Sequence, residues 1–322
     1  MMKVFVTRKI PESGINLLKD HHTVTVSKKD RVLSKTEIID QAQDAEGLLC
    51  LLTDTIDSEV ISSLPNLKMI ANYAVGFNNV DVKVATQKKI PVSNTPEVLT
   101  DTTAELAWAL VFSVARRIVE SDSFCRDGKF EGWGPMLMLG QDVTKKTLGI
   151  IGAGRIGTAM ALKSKGFNMN ILYVDPEHNS VLESELDAQK TDLSTLLSTS
   201  DIVSLHVPLT DDTYHLIGEK ELESMKETAV LINTSRGPII DENALIKALE
   251  NNQIFGAGLD VYEQEPKIPK RLKQLNNAVI LPHIGSATRE TRSKMADMAA
   301  ENMIQGLNGK QPSNCVNPEV FE

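Results

Sequence analysis

Gly152-Ala153-Gly154-Arg155-Ile156-Gly157 is the stretch on which the fold turns. It follows the apolar run Thr147-Leu148-Gly149-Ile150-Ile151 and opens a helical pattern over 158–167, so a G-x-G-x-x-G sits where a strand hands over to a helix. A second apolar run, Asn170-Ile171-Leu172-Tyr173-Val174, ends in Asp175. That acid lies about twenty residues beyond the glycines, where a dinucleotide site places its ribose-binding carboxylate. The first glycine permits the tight turn, the second lets the backbone approach a pyrophosphate, and the third lets helix pack on strand. Bare amides at the helix start, around Arg155 and Ile156, then bind the phosphates. A glycine turn that merely joins strand to helix is the alternative, and strand, spacing and acid together favour the nucleotide.

Beyond the loop, the pattern predicts strands over 201–207, 229–235, 256–261 and 278–283, with helices over 192–198, 220–226 and 241–251. With 147–151 and 170–175 that makes six strands, the number in the dinucleotide-binding doubly wound sheet. Before the loop, strands over 3–7, 23–26, 47–52, 68–73 and 90–93 alternate with helices over 11–20, 36–44, 57–64 and 81–89. Such alternation makes βαβ units and a second parallel sheet, this one without a glycine fingerprint. Thr100-Asp101-Thr102-Thr103 offers N-cap chemistry to a long apolar helix running through 117 or beyond. Residues 128–142, with Trp133, read as a loop, and a final helix over 288–306 returns to the first domain. The expected fold class is therefore α/β, with two doubly wound parallel-sheet domains. A Rossmann NAD-binding domain, 101–287, is inserted into a smaller flavodoxin-like substrate domain, 1–100 and 288–322.

A chain of 322 residues suits two domains, each with its own core, and 41% hydrophobic with 24% charged residues is the balance of a globular protein. A net charge of -9 argues against a nucleic-acid partner or an anionic membrane surface. Cys50, Cys125 and Cys315 form no C-x-x-C and cannot all pair internally, and the six histidines show no zinc spacing, so no metal is expected. Residues 1–7 run straight into a strand pattern without a signal peptide's apolar core, and the longest apolar stretch, 106–115, is too short to span a bilayer. A cytoplasmic location is the expectation.

Ligands of open α/β sheets bind outside the carboxyl ends of the strands. There the later strands deliver Pro208, then Thr234-Ser235-Arg236, then Asp260 followed by Glu263 and Glu265, and last Pro282-His283-Ile284-Gly285-Ser286. An arginine, a carboxylate and a histidine thus meet at the edge of the cofactor, which is the chemistry of reducing a 2-oxo acid. Arg236, a permanently charged fork, can grip the substrate carboxylate and polarise its carbonyl. An imidazole can give a proton near neutral pH, so His283 is the candidate general acid toward the nascent alkoxide. Glu265 can hold the ring through its other nitrogen and favour the charged form. Glu263 competes for that role, Asp260 has the alternative of satisfying backbone amides, and Arg236 that of a structural ion pair.

Thr147 to Gly157, Ile232-Asn233-Thr234-Ser235-Arg236-Gly237, Gly258 to Pro266 and Pro282 to Thr288 resemble the D-isomer-specific 2-hydroxyacid dehydrogenases. Asn72-Tyr73-Ala74-Val75-Gly76-Phe77-Asn78-Asn79-Val80-Asp81 extends the likeness over nearly the whole chain, which is most similar to the glyoxylate/hydroxypyruvate reductase branch. The resemblance implies Arg236, Glu265 and His283 as the catalytic trio, choosing Glu265 over Glu263. It also implies that Val75 and Gly76 bind the substrate carboxylate through backbone amides and that Thr103 approaches the nicotinamide. The strand-end residues Pro208, Thr234, Ser235, Asp260 and Gly285 then line the cofactor, with Arg236 and His283 touching it as well as the substrate. Trp133 resembles a tryptophan that a neighbouring subunit of a homodimer places near the active site. Ser286, where phosphoglycerate dehydrogenases usually carry glycine, goes with the reductase branch.

Asp175 would accept from the ribose hydroxyls of NAD and repel a 2′-phosphate, and Pro176-Glu177-His178 offers no arginine to offset that repulsion. Many reductase-branch relatives carry a small residue and then arginine here and use NADPH, so NADH is the expected donor. The expected reaction is reduction of glyoxylate or hydroxypyruvate to glycolate or D-glycerate. The rivals are phosphoglycerate dehydrogenase or another D-2-hydroxyacid dehydrogenase, and an NAD-sensing corepressor-like binding protein. The chain ends at Glu322 soon after its last helix, without the regulatory domains or extended tails common among those rivals.

Overall fold

The structure, a computed structural model, describes residues 1–322 and divides into two compact units, 1–99 with 286–322, and 100–285. In the first unit, β1 (Lys3–Val6), β2 (Thr23–Val26), β3 (Gly47–Leu51), β4 (Met69–Tyr73) and β5 (Val92–Ser93) form a parallel sheet in the order β2-β1-β3-β4-β5. That is the flavodoxin-like order. Helices α1 (Glu12–His21), α2 (Lys35–Ala42), α3 (Ser58–Ser63) and α4 (Val82–Gln87) supply the crossovers. The central strands read as continuous apolar runs because both faces are covered, and all five residues of β4 are buried. At the edge, β2 alternates exposed with half-buried positions. Helix starts follow side-chain caps: Ser34 and Glu37 form a capping box on α2, and Asp81 accepts the Val84 amide at 3.0 Å on α4.

The second unit opens with a helix that differs from its expected form. Instead of running on past Arg117, it breaks into α5 (Thr100–Ala115) and α6 (Ile118–Arg126), with Arg117 at φ 51. The Gln141 amide takes the Ala115 carbonyl at 2.7 Å, and the Arg117 guanidinium turns onto Glu120 at 2.8 Å. The partner that ends the helix thus comes from a distant loop. The unit's sheet holds β6 (Thr147–Ile151), β7 (Asn170–Val174), β8 (Gln189–Lys190), β9 (Ile202–Leu205), β10 (Val230–Asn233), β11 (Gly256–Leu259) and β12 (Ala278–Ile280). Its order, β12-β11-β10-β9-β6-β7-β8, is the 3-2-1-4-5-6 dinucleotide arrangement with one further edge strand. Seven parallel strands therefore replace the expected six: the edge strand beyond that order is β12, which was expected, and the strand that was not is β8, the third of the order, whose polar Gln-Lys pairs only with Leu172 and Tyr173 of β7.

Helices α7 (Arg155–Leu162), α8 (Ser180–Leu186), α9 (Leu193–Thr199), α10 (Glu219–Ser224) and α11 (Glu242–Glu250) complete this unit, α7 passing into a 3-10 turn over Lys163–Phe167. The helix α12 (Arg289–Leu307) belongs to the first unit, where it packs on α1 and β4. A Cβ at Gly14 would stand 2.4 Å from the Ala296 carbonyl oxygen, so α1 and α12 touch backbone to backbone. No helix is long and apolar enough to cross a membrane.

Candidate active site

β6 runs into Gly152, whose φ of 94 is a conformation that side chains rarely adopt. Gly157 backs onto that turn, where a Cβ would meet the Gly152 carbonyl oxygen at 2.1 Å. Gly154 is exposed, and the place a Cβ would take has nothing within 4 Å. No side chain caps the start of α7 at Gly154, so its first amides open onto that space as a cradle for a diphosphate. Nearby in the chain's logic, at the end of β10, Thr234 Oγ1 is buried without a hydrogen-bond partner. A helix start without a side-chain cap and an orphaned hydroxyl at a strand end fit a nicotinamide dinucleotide. Asp175, just past β7, accepts the Ala153 amide at 2.8 Å through Oδ2 and the Glu177 amide at 3.1 Å through Oδ1. A carboxylate has about four lone-pair sites, which leaves acceptors for ribose hydroxyls.

At the other strand ends, His283 Nδ1 lies 2.8 Å from Glu265 Oε2, and Glu265 Oε1 accepts the Tyr262 amide at 3.1 Å. Burial disfavours the Glu265 anion, but the hydrogen bond and charge of His283, the Tyr262 amide and the Arg236 charge together bring its pKa below the ordinary value. Glu263 is engaged elsewhere: its carboxylate meets His215 Nε2 at 3.1 Å and the Glu242 amide at 3.3 Å. His206 is also committed, with Nε2 2.9 Å from Ser204 Oγ and 3.2 Å from Met160 Sδ, and burial pushes its pKa down to about 4. Of these three imidazoles, His283 is the one paired with Glu265, the carboxylate whose anion the Arg236 charge favours.

Braces that sequence reading passed over hold these groups in place. Asn233, 1% exposed at the end of β10, accepts the Ser235 amide and hydroxyl at 3.0 Å each and donates to the Arg236 carbonyl at 2.9 Å. The Arg236 guanidinium donates to the Ser235 carbonyl at 2.7 Å. Burial lowers its pKa and the charge of Glu265 opposes the drop. Gly237 lies so close to Tyr262 that a Cβ would fall 1.9 Å from its carbonyl atoms, which joins the arginine loop to the Glu265 loop. Asp260, expected at the cofactor, is 1% exposed and gives one oxygen each to the Ile284 and Gly285 amides at 2.7 Å. Burial raises its pKa, and those amides and the His283 charge partly offset the rise. Behind the same loop, Thr103 Oγ1 donates to the Gly285 carbonyl at 3.2 Å, and the residue is buried. His283 itself has φ 56, a left-handed backbone costing roughly 1–2 kcal/mol outside glycine, which the Asp260 brace sustains.

Pro208 is exposed past β9, its carbonyl accepting from Thr213 Oγ1 at 2.6 Å. In the first unit, Val75 and Gly76 follow β4. Asn94 Nδ2 donates to the Val75 carbonyl at 2.7 Å and Asn72 Nδ2 to the Gly76 carbonyl at 2.9 Å. With its carbonyls taken, the loop can offer its amides to an anion. Ser286 accepts from the Thr288 amide at 2.9 Å and from Arg292 Nε at 3.2 Å. Trp133 is 85% exposed, and the second unit alone gives it no buried setting.

A sheet of this order, with a glycine cradle and these strand ends, defines a nicotinamide-dependent oxidoreductase. Residues 108–285 match the family described as "D-isomer specific 2-hydroxyacid dehydrogenase, NAD binding domain". Over the whole length, a glyoxylate reductase of Korarchaeum cryptofilum is 52% identical, covering 99% of this chain and 97% of its own. Another glyoxylate reductase, of Thermococcus litoralis, is 48% identical over 99% of this chain and 98% of its own. Among solved structures, an NADPH-dependent glyoxylate/hydroxypyruvate reductase from Sinorhizobium meliloti, in complex with NADP and malonate, superimposes with TM-score 0.88 at 28% identity, covering 100% of this chain and 98% of that one. The protein belongs to the D-isomer-specific 2-hydroxyacid dehydrogenases, on the glyoxylate reductase branch.

Proposed function

We propose that the protein reduces glyoxylate or hydroxypyruvate to the 2-hydroxy acid, with NADH as preferred donor. The Glu265–His283 pair at 2.8 Å, beside the buried-edge loop of Arg236, carries this reading. The bound dinucleotide supplies the hydride. Arg236 grips the substrate carboxylate through two parallel N–H groups and draws electron density from the carbonyl. His283 donates its Nε2 proton to the alkoxide oxygen as negative charge develops there, while the ionised Glu265 holds Nδ1–H and steadies the imidazolium before transfer. Asp260 fixes the loop on which the imidazole rides. Asp175 favours NADH because it accepts from ribose hydroxyls and repels a 2′-phosphate. The family holds NADP-binding members, so the ratio of the two cofactors is a direct measure of that reading.

The test is a panel of glyoxylate, hydroxypyruvate, pyruvate and 3-phosphohydroxypyruvate, each with NADH and NADPH, followed by loss of reduced-cofactor absorbance. The expected result is highest kcat/KM on one of the first two with NADH. Preference for 3-phosphohydroxypyruvate would move the protein to the phosphoglycerate branch, and silence on all four with intact NADH binding would make it a binding protein.

We further read the protein as a homodimer. Ile118, Val119, Phe130, Trp133, Met136 and Leu139 expose large apolar surface on one short segment, more than an isolated chain usually leaves in water. Light scattering is expected to give twice the monomer mass, and Trp133→Ala to weaken the dimer. A monomeric wild type would overturn this reading. Unpaired Cys50, Cys125 and Cys315 go with a reducing compartment, and we place the protein in the cytoplasm.

A further inference from the structure

Two loops of the dinucleotide unit meet on one residue, through the peptide groups on either side of it. The N–H of Ala153, the middle residue between Gly152 and Gly154, donates to Asp175 Oδ2 at 2.8 Å. Its carbonyl accepts from Asn179 Nδ2 at 2.8 Å and from Thr158 Oγ1 at 3.1 Å. The second hydrogen of Asn179 Nδ2 goes to Thr158 Oγ1 at 2.8 Å, which closes a three-membered ring of contacts around that carbonyl. The remaining polar atoms of Asn179 are committed too: Oδ1 accepts the Leu182 amide at 3.0 Å as the cap of α8, and its own N–H donates to Tyr173 Oη at 2.9 Å. Tyr173 Oη in turn donates to Glu183.

We propose that Asn179 is a positioning residue for the dinucleotide: it holds the Ala153–Gly154 peptide while Asp175 holds the Gly152–Ala153 peptide, and together they keep the glycine loop in its phosphate-ready shape before the cofactor arrives. This rests on the reading of the loop as a nicotinamide site. The physical reason is the loop's own composition. Gly152 and Gly154 give it the widest backbone freedom of any sequence, and a loop that has to order itself on binding loses affinity. Fixing the two peptide groups that flank Ala153, one from each partner, removes that freedom without placing any side chain in the cradle. An amide is needed at 179, because one nitrogen must donate twice while the oxygen accepts from the α8 amide; aspartate would set a carboxylate against the Ala153 carbonyl. The clamp also ties the ribose-binding end of the site to the phosphate-binding end, since Asp175 and Asn179 sit on the same stretch after β7. Replacing Asp175 to change cofactor preference therefore loosens the phosphate loop as well.

The decisive variant is Asn179→Ser. Serine is neutral and caps a helix about as well as asparagine, so α8 keeps its start, but its hydroxyl is too short to reach Ala153. Thr158→Val is the second variant, removing the other contact from within α7. For Asn179→Ser, NADH dissociation constants from fluorescence titration, taken without any oxo acid, are expected to rise about 3- to 10-fold, the worth of one to two ordinary hydrogen bonds. KM for NADH should rise in parallel while kcat at saturating NADH stays at the wild-type value. Hydrogen exchange at the Ala153 amide should quicken in the cofactor-free protein. Thr158→Val is expected to shift the same quantities in the same direction by less. Wild-type NADH affinity and wild-type exchange at Ala153 in both variants would overturn the proposal, as would a fall in kcat with KM unchanged. A wild type that binds NADH but reduces no member of the oxo-acid panel would sink the functional reading and leave the clamp standing.

Discussion

His283→Ala is expected to lower the turnover of 2-oxo acid reduction by about 10²- to 10⁴-fold, the usual worth of a positioned general acid, with NADH affinity nearly unchanged. The split follows from where the side chain sits. Its Nδ1 is held by Glu265 at 2.8 Å, so the imidazole is oriented by a partner that does not depend on substrate, and truncation deletes a proton donor rather than a wall of the cofactor site. The backbone beneath it is fixed separately, by Asp260 through the Ile284 and Gly285 amides, so the loop should survive the loss of the ring. His206 and His215 cannot substitute, being committed to Ser204 with Met160 and to Glu263. Turnover within a few-fold of wild type, measured at saturating NADH and oxo acid, would remove His283 from the mechanism. Glu265→Gln gives a companion readout. It keeps an acceptor for Nδ1 but withdraws the carboxylate's charge, so kcat should fall by less than in His283→Ala while NADH affinity holds.

How much of this could be read in the sequence depends on how local each cause is. The glycine loop is local: strand, three glycines and an acid about twenty residues on are enough to place a dinucleotide turn. Strand-end residues are nearly as accessible, because parallel sheets put consecutive carboxyl ends on one edge, whatever the side chains are. Choosing between Glu263 and Glu265 is different. They lie two positions apart on one loop, and what separates them is that Glu263 meets His215 and the start of α11, a tertiary fact with no sequence period. The break at Arg117 has the same character, since Gln141, far along the chain, supplies the amide that caps Ala115. Short polar elements escape for another reason: Gln189–Lys190 joins the sheet through backbone pairing alone, with no apolar run to announce it. Buried polar braces are the largest class that pattern reading cannot see. Asn72, Asn94, Asn179 and Asn233 each look like a turn or cap residue, and the carbonyl each one serves is known only once the chain has folded. Asp260 is a further case, because its position past β11 says nothing of the two amides of the histidine loop that its oxygens accept.

Arg236→Lys separates charge from geometry at the substrate carboxylate. It is expected to lower kcat/KM for the oxo acid by about 10- to 150-fold, the range for losing one hydrogen bond between charged groups in a desolvated site. Lysine keeps a positive charge, so a purely electrostatic role would leave most of the efficiency intact. The site argues for more than charge. One guanidinium nitrogen is anchored on the Ser235 carbonyl at 2.7 Å, and the loop beneath it is locked by Asn233, so the planar fork is held at a set angle for meeting a carboxylate in plane. An ammonium has no plane to hold and cannot both anchor and present two parallel donors. Burial works against it as well: the same environment that lowers the Arg236 pKa would depress a lysine from about 10.4, a group far easier to neutralise than a guanidinium. The deficit should therefore deepen as pH rises, in a way that Arg236 itself does not show, and NADH binding should change little. Efficiency equal to wild type across the pH range would reduce Arg236 to a structural ion pair with Glu265.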